Sequence, residues 1–254
     1  MIDAHCHIEQ PDYNKDRDQV IEKCKQNLDA IITCCAHPDD FNLTTQMTDK
    51  YKNFVFTTFS IHPIYIKEIT AKEKDEFFNL LLENKDKISG IGETGLDYAH
   101  VKEDVWRQKQ KELFIEFISL AKELKKPLVV HSRDATEDAI KILEQEDAKN
   151  VLMHLFGARH LLKRVIDNAW QISVGPIVQR SKNHKKLTRD MPIEKIMLET
   201  DSPWFGLEGK RNDPTAVIGV ANRIAEIKKL PVEKVDKITT ENAIKFFDLK
   251  IENK

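Results

Sequence analysis

The chain has 254 residues, of which 41% are apolar and 32% charged, and its formal net charge is -2. This balance is typical of a folded globular protein and excludes a disordered chain, and no apolar run reaches the roughly 20 residues that cross a bilayer. The slightly acidic charge also argues against a protein that coats duplex nucleic acid through bulk electrostatics.

The organisation of the chain is simple. No linker rich in Gly, Pro or Ser interrupts it, so we expect one domain over residues 1–254. Its start has no basic region followed by an apolar stretch, and we expect no signal peptide, no membrane contact and a cytoplasmic location. The cysteines form no pattern of CxxC pairs, which fits a reducing compartment. No stable protein partner is implied.

Short apolar runs rich in β-branched residues recur along the chain and predict eight strands. They are expected at residues 2–7, 28–35, 54–59, 88–93, 128–131, 150–154, 170–174 and 195–199. Segments with apolar residues at helical spacing separate these runs, and two further helices follow the last one. The helices are expected at residues 16–26, 39–50, 71–84, 105–124, 135–144, 160–168, 182–189, 215–229 and 232–247.

Eight strands that alternate with helices over about 250 residues favour the α/β class and, within it, the (β/α)₈ TIM barrel. A doubly wound open sheet is the alternative. The first strand is not followed by a glycine-rich phosphate loop, and polar residues are scattered over many strand ends. Barrel enzymes build their sites in that scattered way, so the barrel is the better prediction.

Two histidines, His5 and His7, stand at the end of the first predicted strand. Side chains two residues apart on a strand emerge on the same face, so both imidazoles can reach one metal ion. Further polar residues end the later strands, and the rim set comprises His5, His7, His62, Glu93, His131, His154 and Asp201. A lone histidine at a strand end is commonly structural, but seven such residues on one rim predict a metal centre.

The rim set offers more ligands than one ion needs. It suits two divalent ions about 3.5–4 Å apart that share a bridging carboxylate. Mixed nitrogen and oxygen ligands favour zinc, manganese or a similar transition ion, and magnesium is compatible where a substrate supplies oxygen ligands.

Several motifs spread over nearly the whole chain resemble the TatD-type metal-dependent deoxyribonucleases of the amidohydrolase-like barrel superfamily. They are IDAHCH at 2–7, SIHP at 60–63, IGETGLDY at 91–98, VVHSRDA at 129–135, MHLF at 153–156 and ETDSPWF at 199–205. The resemblance implies exonuclease activity on DNA, either single-stranded or at duplex ends, with two divalent metal ions per subunit.

The resemblance also implies a ligand set. One ion would be held by His5, His7, Glu93 and Asp201, and the other by Glu93, His131 and His154. Glu93 would then be the bridge. Many members of the wider superfamily use a carboxylated lysine for this purpose, but no lysine ends the fourth or fifth predicted strand here.

The expected reaction is hydrolysis of a phosphodiester by activated water, with Glu93 and Asp201 as catalytic residues and Asp201 as the base. His62 and Arg133 are expected to bind a substrate phosphate, although Arg133 could instead form a salt bridge with Asp134 or with the surroundings of Glu93. Trp204, with its neighbour Phe205, is expected to stack on a base or to pack under its loop.

Other polar residues near the rim are expected to support the ligands. Glu199 is interpreted either as a structural group or as a partner of a ligand. Asp3 shares a strand face with His5 and is expected to orient it. Asp97 and Tyr98 are expected to organise the loop after Glu93.

Two other functions compete with the nuclease prediction. A binuclear amidohydrolase that opens a lactone, ester or cyclic amide would use the same metals, and nuclease assays with a chelator control would separate the two. A noncatalytic nucleic-acid-binding or scaffold protein is disfavoured by the complete ligand set and by the acidic net charge.

Overall fold

The computed structural model describes residues 1–206 and 209–251, in which eight parallel strands form one sheet. The strands pair in chain order and are β1 Ile2–Cys6, β2 Ala30–Cys35, β3 Val55–Phe59, β4 Gly90–Asp97, β5 Leu128–Arg133, β6 Val151–Met153, β7 Gln171–Val174 and β8 Ile196–Leu198. Backbone hydrogen bonds join the two ends of the sheet: His7 N–H donates to the Ser202 carbonyl at 2.7 Å, and Asp201 N–H donates to the His5 carbonyl at 3.0 Å. The predicted TIM barrel is confirmed.

Helices lie between the strands, as the apolar spacing predicts. They are α1 Arg17–Asn27, α2 Phe41–Lys50, α3 Ala71–Glu83, α4 Asp104–Leu124, α5 Thr136–Gln145, α6 Leu162–Asp167, α7 Lys182–Asp190, α8 Val217–Lys228 and α9 Val232–Phe247. Local chemistry sets their ends: Thr70 Oγ1 accepts the Glu73 N–H, and the Glu73 carboxylate accepts the Thr70 N–H. In the described part of the chain, no helix has both the length and the apolar character needed to cross a bilayer.

Two apolar clusters hold the barrel together. The larger one packs the outer faces of the strands against the helices, and Phe114 and Phe117 of α4 are fully buried in it. The smaller one contains strand residues such as Ala4 and Ile32 together with Phe246 and Phe247 of α9. Phe247 lies beside Gly90 at the amino end of β4, so α9 covers that end of the barrel. The polar site is left to the opposite, carboxyl end.

Strand β4 differs from its prediction. The expected strand ends at Glu93, whereas the observed one continues to Asp97, and its pairing with β5 shifts register between Ile91 and Thr94. Strand β5 likewise continues past His131 to Arg133. Glu93 and His131 therefore lie within their strands and not at the strand ends expected for them. The physical reason is that the register shift interrupts the pairing of β4 with β5 around Glu93, and the pairing resumes from Thr94 to Asp97.

Candidate metal centre

A cavity of about 1040 Å³ opens at the carboxyl ends of the strands. Eight of the nine predicted site residues line it: His7, His62, Glu93, His131, Arg133, His154, Asp201 and Trp204. The ninth, His5, is almost fully buried beneath them. Residues separated by nearly 200 positions in the chain therefore meet around one cavity, as expected from barrel closure.

One group of possible metal ligands surrounds Glu93 Oε2. His5 Nε2 and His7 Nε2 lie 3.1 Å apart, and each is 3.4 Å from Glu93 Oε2. Asp201 Oδ1 completes the group at 3.5 Å from His5 Nε2 and 3.4 Å from His7 Nε2. These four residues are the ones that the resemblance implies for the first ion.

A second group gathers around the other oxygen of the same carboxylate. Glu93 Oε1 lies 2.7 Å from His131 Nδ1 and 3.3 Å from His154 Nε2. His62 Nε2 is also close, at 3.4 Å. The two oxygens of Glu93 thus face two separate sets of imidazoles, which is the geometry expected of a bridging carboxylate. His62, expected to bind substrate, lies as near to Glu93 as two of the predicted ligands.

Neighbouring buried groups of opposite charge shift the pKa values of these residues. Burial alone would raise the pKa of Glu93, but the neighbouring imidazoles, His62 foremost, hold it well below its usual value. Burial lowers the pKa of His5, yet Glu93 and Asp201 raise it to about 10. Burial likewise lowers the pKa of His131, and hydrogen bonds to Asp97 and Glu93 raise it to about 9. Without metal, protons on His5 and His131 therefore offset negative charge on the buried carboxylates.

The donor set fits divalent metal ions. Two imidazole nitrogens 3.1 Å apart can share at most one proton between them, and both point at the same carboxylate oxygens. Two sets of atoms, those of His5, His7 and Glu93 and those of His62, Glu93 and His131, each lie within 4.8 Å of one another. Nitrogen and carboxylate oxygen in this arrangement are ligands typical of zinc and manganese.

A second carboxylate lies behind three of the imidazoles. His7 Nδ1 is 3.1 Å from Glu9 Oε1, and His131 Nε2 is 3.1 Å from Asp97 Oδ2. His154 Nδ1 is 2.7 Å from Glu199 Oε2. Carboxylates in this position commonly fix the orientation and tautomer of a metal-binding histidine. Glu199 thus contacts a predicted ligand directly, which is one of the two interpretations offered for it.

Glu9, which contacts His7, is not among the predicted site residues. Its side chain is buried, and its other oxygen accepts a hydrogen bond from Thr33 Oγ1 at 2.6 Å. The available signal was its spacing, because Glu9 follows His7 by two residues, as His7 follows His5.

Two supporting residues act differently from the expectation. Asp3 does not contact the His5 ring: its carboxylate accepts the backbone N–H of His5 at 3.2 Å and that of Thr200 at 3.0 Å. It therefore ties the segment after β8 to β1. Asp97 does organise the loop, since it accepts the His100 N–H at 2.8 Å, but it also contacts His131.

Two of the predicted substrate residues lie in the outer part of the cavity, whereas the third, His62, is buried. Trp204 is 47% exposed, and its ring meets His7 edge-on with centroids 4.8 Å apart. Arg133 is exposed, and within residues 1–206 and 209–251 its side chain has no ion pair, including with Asp134. Arg211, by contrast, is already engaged by Asp16 at 2.5 Å.

Comparison with known protein families matches residues 2–248 to the family described as TatD related DNase. Human Deoxyribonuclease TATDN3 is 34% identical to this chain, over 97% of this chain and 94% of the relative. An uncharacterized metal-dependent hydrolase of Methanocaldococcus jannaschii is 35% identical, over 97% and 96% of the two chains.

Solved structures resemble the whole barrel. A TatD homolog from Escherichia coli superposes with a TM-score of 0.90 at 23% identity, and 98% of each chain is covered. A TatD family hydrolase from Entamoeba histolytica gives 0.89 at 21% identity, with the same coverage. At these identities the likeness shows the fold.

Proposed function

The chain belongs to the TatD-related DNase family, and from that membership we propose that it is a divalent-metal-dependent deoxyribonuclease that hydrolyses phosphodiester bonds at the ends of DNA strands. The observation that carries the proposal is the position of Glu93, whose two oxygens face two separate groups of imidazole nitrogens. An arrangement built around one bridging carboxylate suits a pair of metal ions.

The ions would be held by the residues already described. His5, His7, Glu93 and Asp201 would hold one, and Glu93, His131 and His154 the other. A pair of divalent ions there would lower the pKa of water and offset the negative charge that develops on the phosphate oxygens. The imidazoles must lose their shared protons when the ions bind.

Asp201 is the proposed base. Its carboxylate lies at the cavity wall, with Oδ1 3.5 Å from His5 Nε2 and 3.4 Å from His7 Nε2, beside the proposed first ion. A carboxylate in this position can accept a proton from the attacking water. The water oxygen forms a bond to phosphorus, the bond from phosphorus to the leaving sugar oxygen breaks, and that oxygen takes up a proton from solvent.

Three cavity residues would bind the substrate. His62 Nδ1 accepts the Ile64 N–H at 3.3 Å, so its Nε2 faces Glu93 and the cavity, where it can donate to a phosphate oxygen. Arg133 offers a guanidinium at the cavity wall. The exposed face of Trp204 is available to stack on a base.

The test is hydrolysis of end-labelled oligonucleotides by protein stripped with a chelator and then reloaded with zinc, manganese or magnesium. We expect no release of nucleotides from single-stranded or duplex DNA without metal and recovery on reloading. D201N should abolish the activity. The matched control is D104N, because Asp104 is 99% exposed at the start of α4, and it should leave the activity unchanged.

A panel of lactones, esters and cyclic amides completes the experiment. Metal-dependent hydrolysis of one of these, with none of DNA, would replace the nuclease proposal by an amidohydrolase. Metal binding without turnover of any substrate in the panel, including DNA, would contradict a hydrolase at this site.

A further inference from the structure

The three carboxylates behind the imidazoles are not equivalent. The Glu9 contact is shared, because His7 Nδ1 also lies 3.0 Å from the Cys34 carbonyl oxygen. The Asp97 contact differs in another way, because Asp97 Oδ2 also lies 2.9 Å from Nδ1 of a second imidazole, that of the exposed His100. In the described residues, His154 Nδ1 has Glu199 Oε2 as its hydrogen-bond partner and no second acceptor.

Glu199 is itself held in one position. Its side chain is fully buried, and Oε2 accepts a second hydrogen bond from Ser173 Oγ at 2.7 Å. The other oxygen, Oε1, is buried and has no hydrogen-bond partner among the described residues. A buried carboxylate oxygen without a partner costs free energy, which a purely structural residue could avoid. The presence of a carboxylate at this position is therefore best explained by the hydrogen bond between Oε2 and His154 Nδ1.

We propose that Glu199 is a positioning residue that keeps the proton of His154 on Nδ1, leaves Nε2 as a lone-pair donor toward Glu93, and thereby sets the affinity of the second metal position. This inference rests on the metal site of the proposed function. A neutral imidazole carries one N–H, and a carboxylate acceptor 2.7 Å from Nδ1 favours that nitrogen as its place. His154 Nε2, 3.3 Å from Glu93 Oε1, is then ready to bind an ion.

Direct metal binding by Glu199 is the alternative. Atoms of His5, His154 and Glu199 do lie within 4.8 Å of one another. However, the His5 and His154 rings are stacked with their centroids 3.9 Å apart, and the contact between His154 Nδ1 and Glu199 Oε2 has the length of a charge-assisted hydrogen bond. An ion at that place would have to break this bond, so Glu199 acts through His154.

The inference predicts unequal effects of two similar substitutions. E199A removes the acceptor that His154 Nδ1 uses, and metal affinity at one of the two positions should fall about 10- to 100-fold. E9A leaves the Cys34 carbonyl to accept from His7 Nδ1, so its effect should be smaller. E199Q keeps an acceptor oxygen within reach of His154 and should restore most of the lost affinity.

Calorimetric titration of chelator-stripped protein with Mn²⁺ measures this without any substrate. We expect two binding events in the wild-type chain, one of them weakened in E199A and largely recovered in E199Q. Equal affinities in wild type and E199A would overturn the inference, as would an E9A effect larger than that of E199A. A wild-type chain that binds no metal would contradict the proposed function itself, which separates the two failures.

The tautomer can be observed directly in the metal-free wild-type protein, which keeps the inference testable even where E199A does not fold. Nitrogen-15 NMR of labelled histidines should show His154 protonated at Nδ1. The resonance of that Nδ1–H proton should lie downfield because of its short hydrogen bond to Glu199. E199Q should keep that tautomer, and E199A should populate both. A wild-type His154 that is neutral and protonated at Nε2 would overturn the inference.

Discussion

Gly95 links the barrel backbone to the metal centre, and G95A should damage both. Gly95 pairs with His131 across β4 and β5, and its φ of +142° is a conformation that side chains with a Cβ rarely adopt. A Cβ added there would lie 2.0 Å from the His131 carbonyl oxygen, a backbone atom that cannot rotate away. The two strands would have to separate by roughly 1.4 Å to reach the 3.4 Å of ordinary contact.

The size of the effect follows from this displacement. Backbone strain of this kind costs about 1–3 kcal/mol, and for a chain of this length each kcal/mol lowers Tm by about 2–4 °C. Strain and strand displacement together should lower the free energy of unfolding by about 3 kcal/mol. We therefore expect Tm to fall by roughly 6–12 °C. His131 would move away from Glu93, now 2.7 Å from it, and a misplacement of about 1 Å costs about 100-fold in turnover.

Thermal unfolding and steady-state hydrolysis of an oligonucleotide measure the two effects. The control is G219A: Gly219 lies in α8, the nearest atom to an added Cβ is Gln179 Nε2 at 3.7 Å, and helix propensity favours alanine. G219A should keep turnover and match or exceed the wild-type Tm. Wild-type Tm and turnover in G95A would refute the reasoning, because the close approach of β4 to β5 would then have no role in placing His131.

Three further predictions concern the cavity. W204A should raise KM for a short oligonucleotide by roughly 5- to 150-fold with little change in kcat, since base stacking contributes about 1–3 kcal/mol; an unchanged KM would show that Trp204 only packs on its loop. R133A should raise KM and reduce its dependence on salt, and an unchanged salt slope would exclude a phosphate contact. Chelation should lower Tm, because ions at 100 times their Kd stabilise the folded chain by about 2.7 kcal/mol; identical melting curves with and without Mn²⁺ would contradict a resident metal.

Most of the barrel could be predicted because its signals are local. Apolar runs and helical spacing mark each element, and the observed bounds differ from the expected ones mainly at strand ends. Strand β4 shows the largest such difference: its register shift depends on pairing with β5, and no pattern within residues 88–93 indicates that the strand continues to Asp97. The sequence pattern of one segment carries no information on its pairing with a strand that is distant in the chain.

The site was predictable in its ligand types but not in its supporting contacts. Motif spacing and resemblance brought out His5, His7 and Glu93, and the structure places them together. Glu9 is not predicted because it acts through the His7 ring. The orientation of that ring is set only when β1 packs beside β2. The pattern leaves two interpretations for Glu199 for the same reason, since His154 contacts it from the end of another strand, β6.

Anomalous diffraction from crystals soaked in Mn²⁺ would test the central claim most directly. We expect two peaks about 3.5–4 Å apart, one on each side of the Glu93 carboxylate, the first beside His5 and His7 and the second beside His131 and His154. A single peak, or peaks that leave Glu93 in contact with no more than one ion, would contradict a centre bridged by this carboxylate.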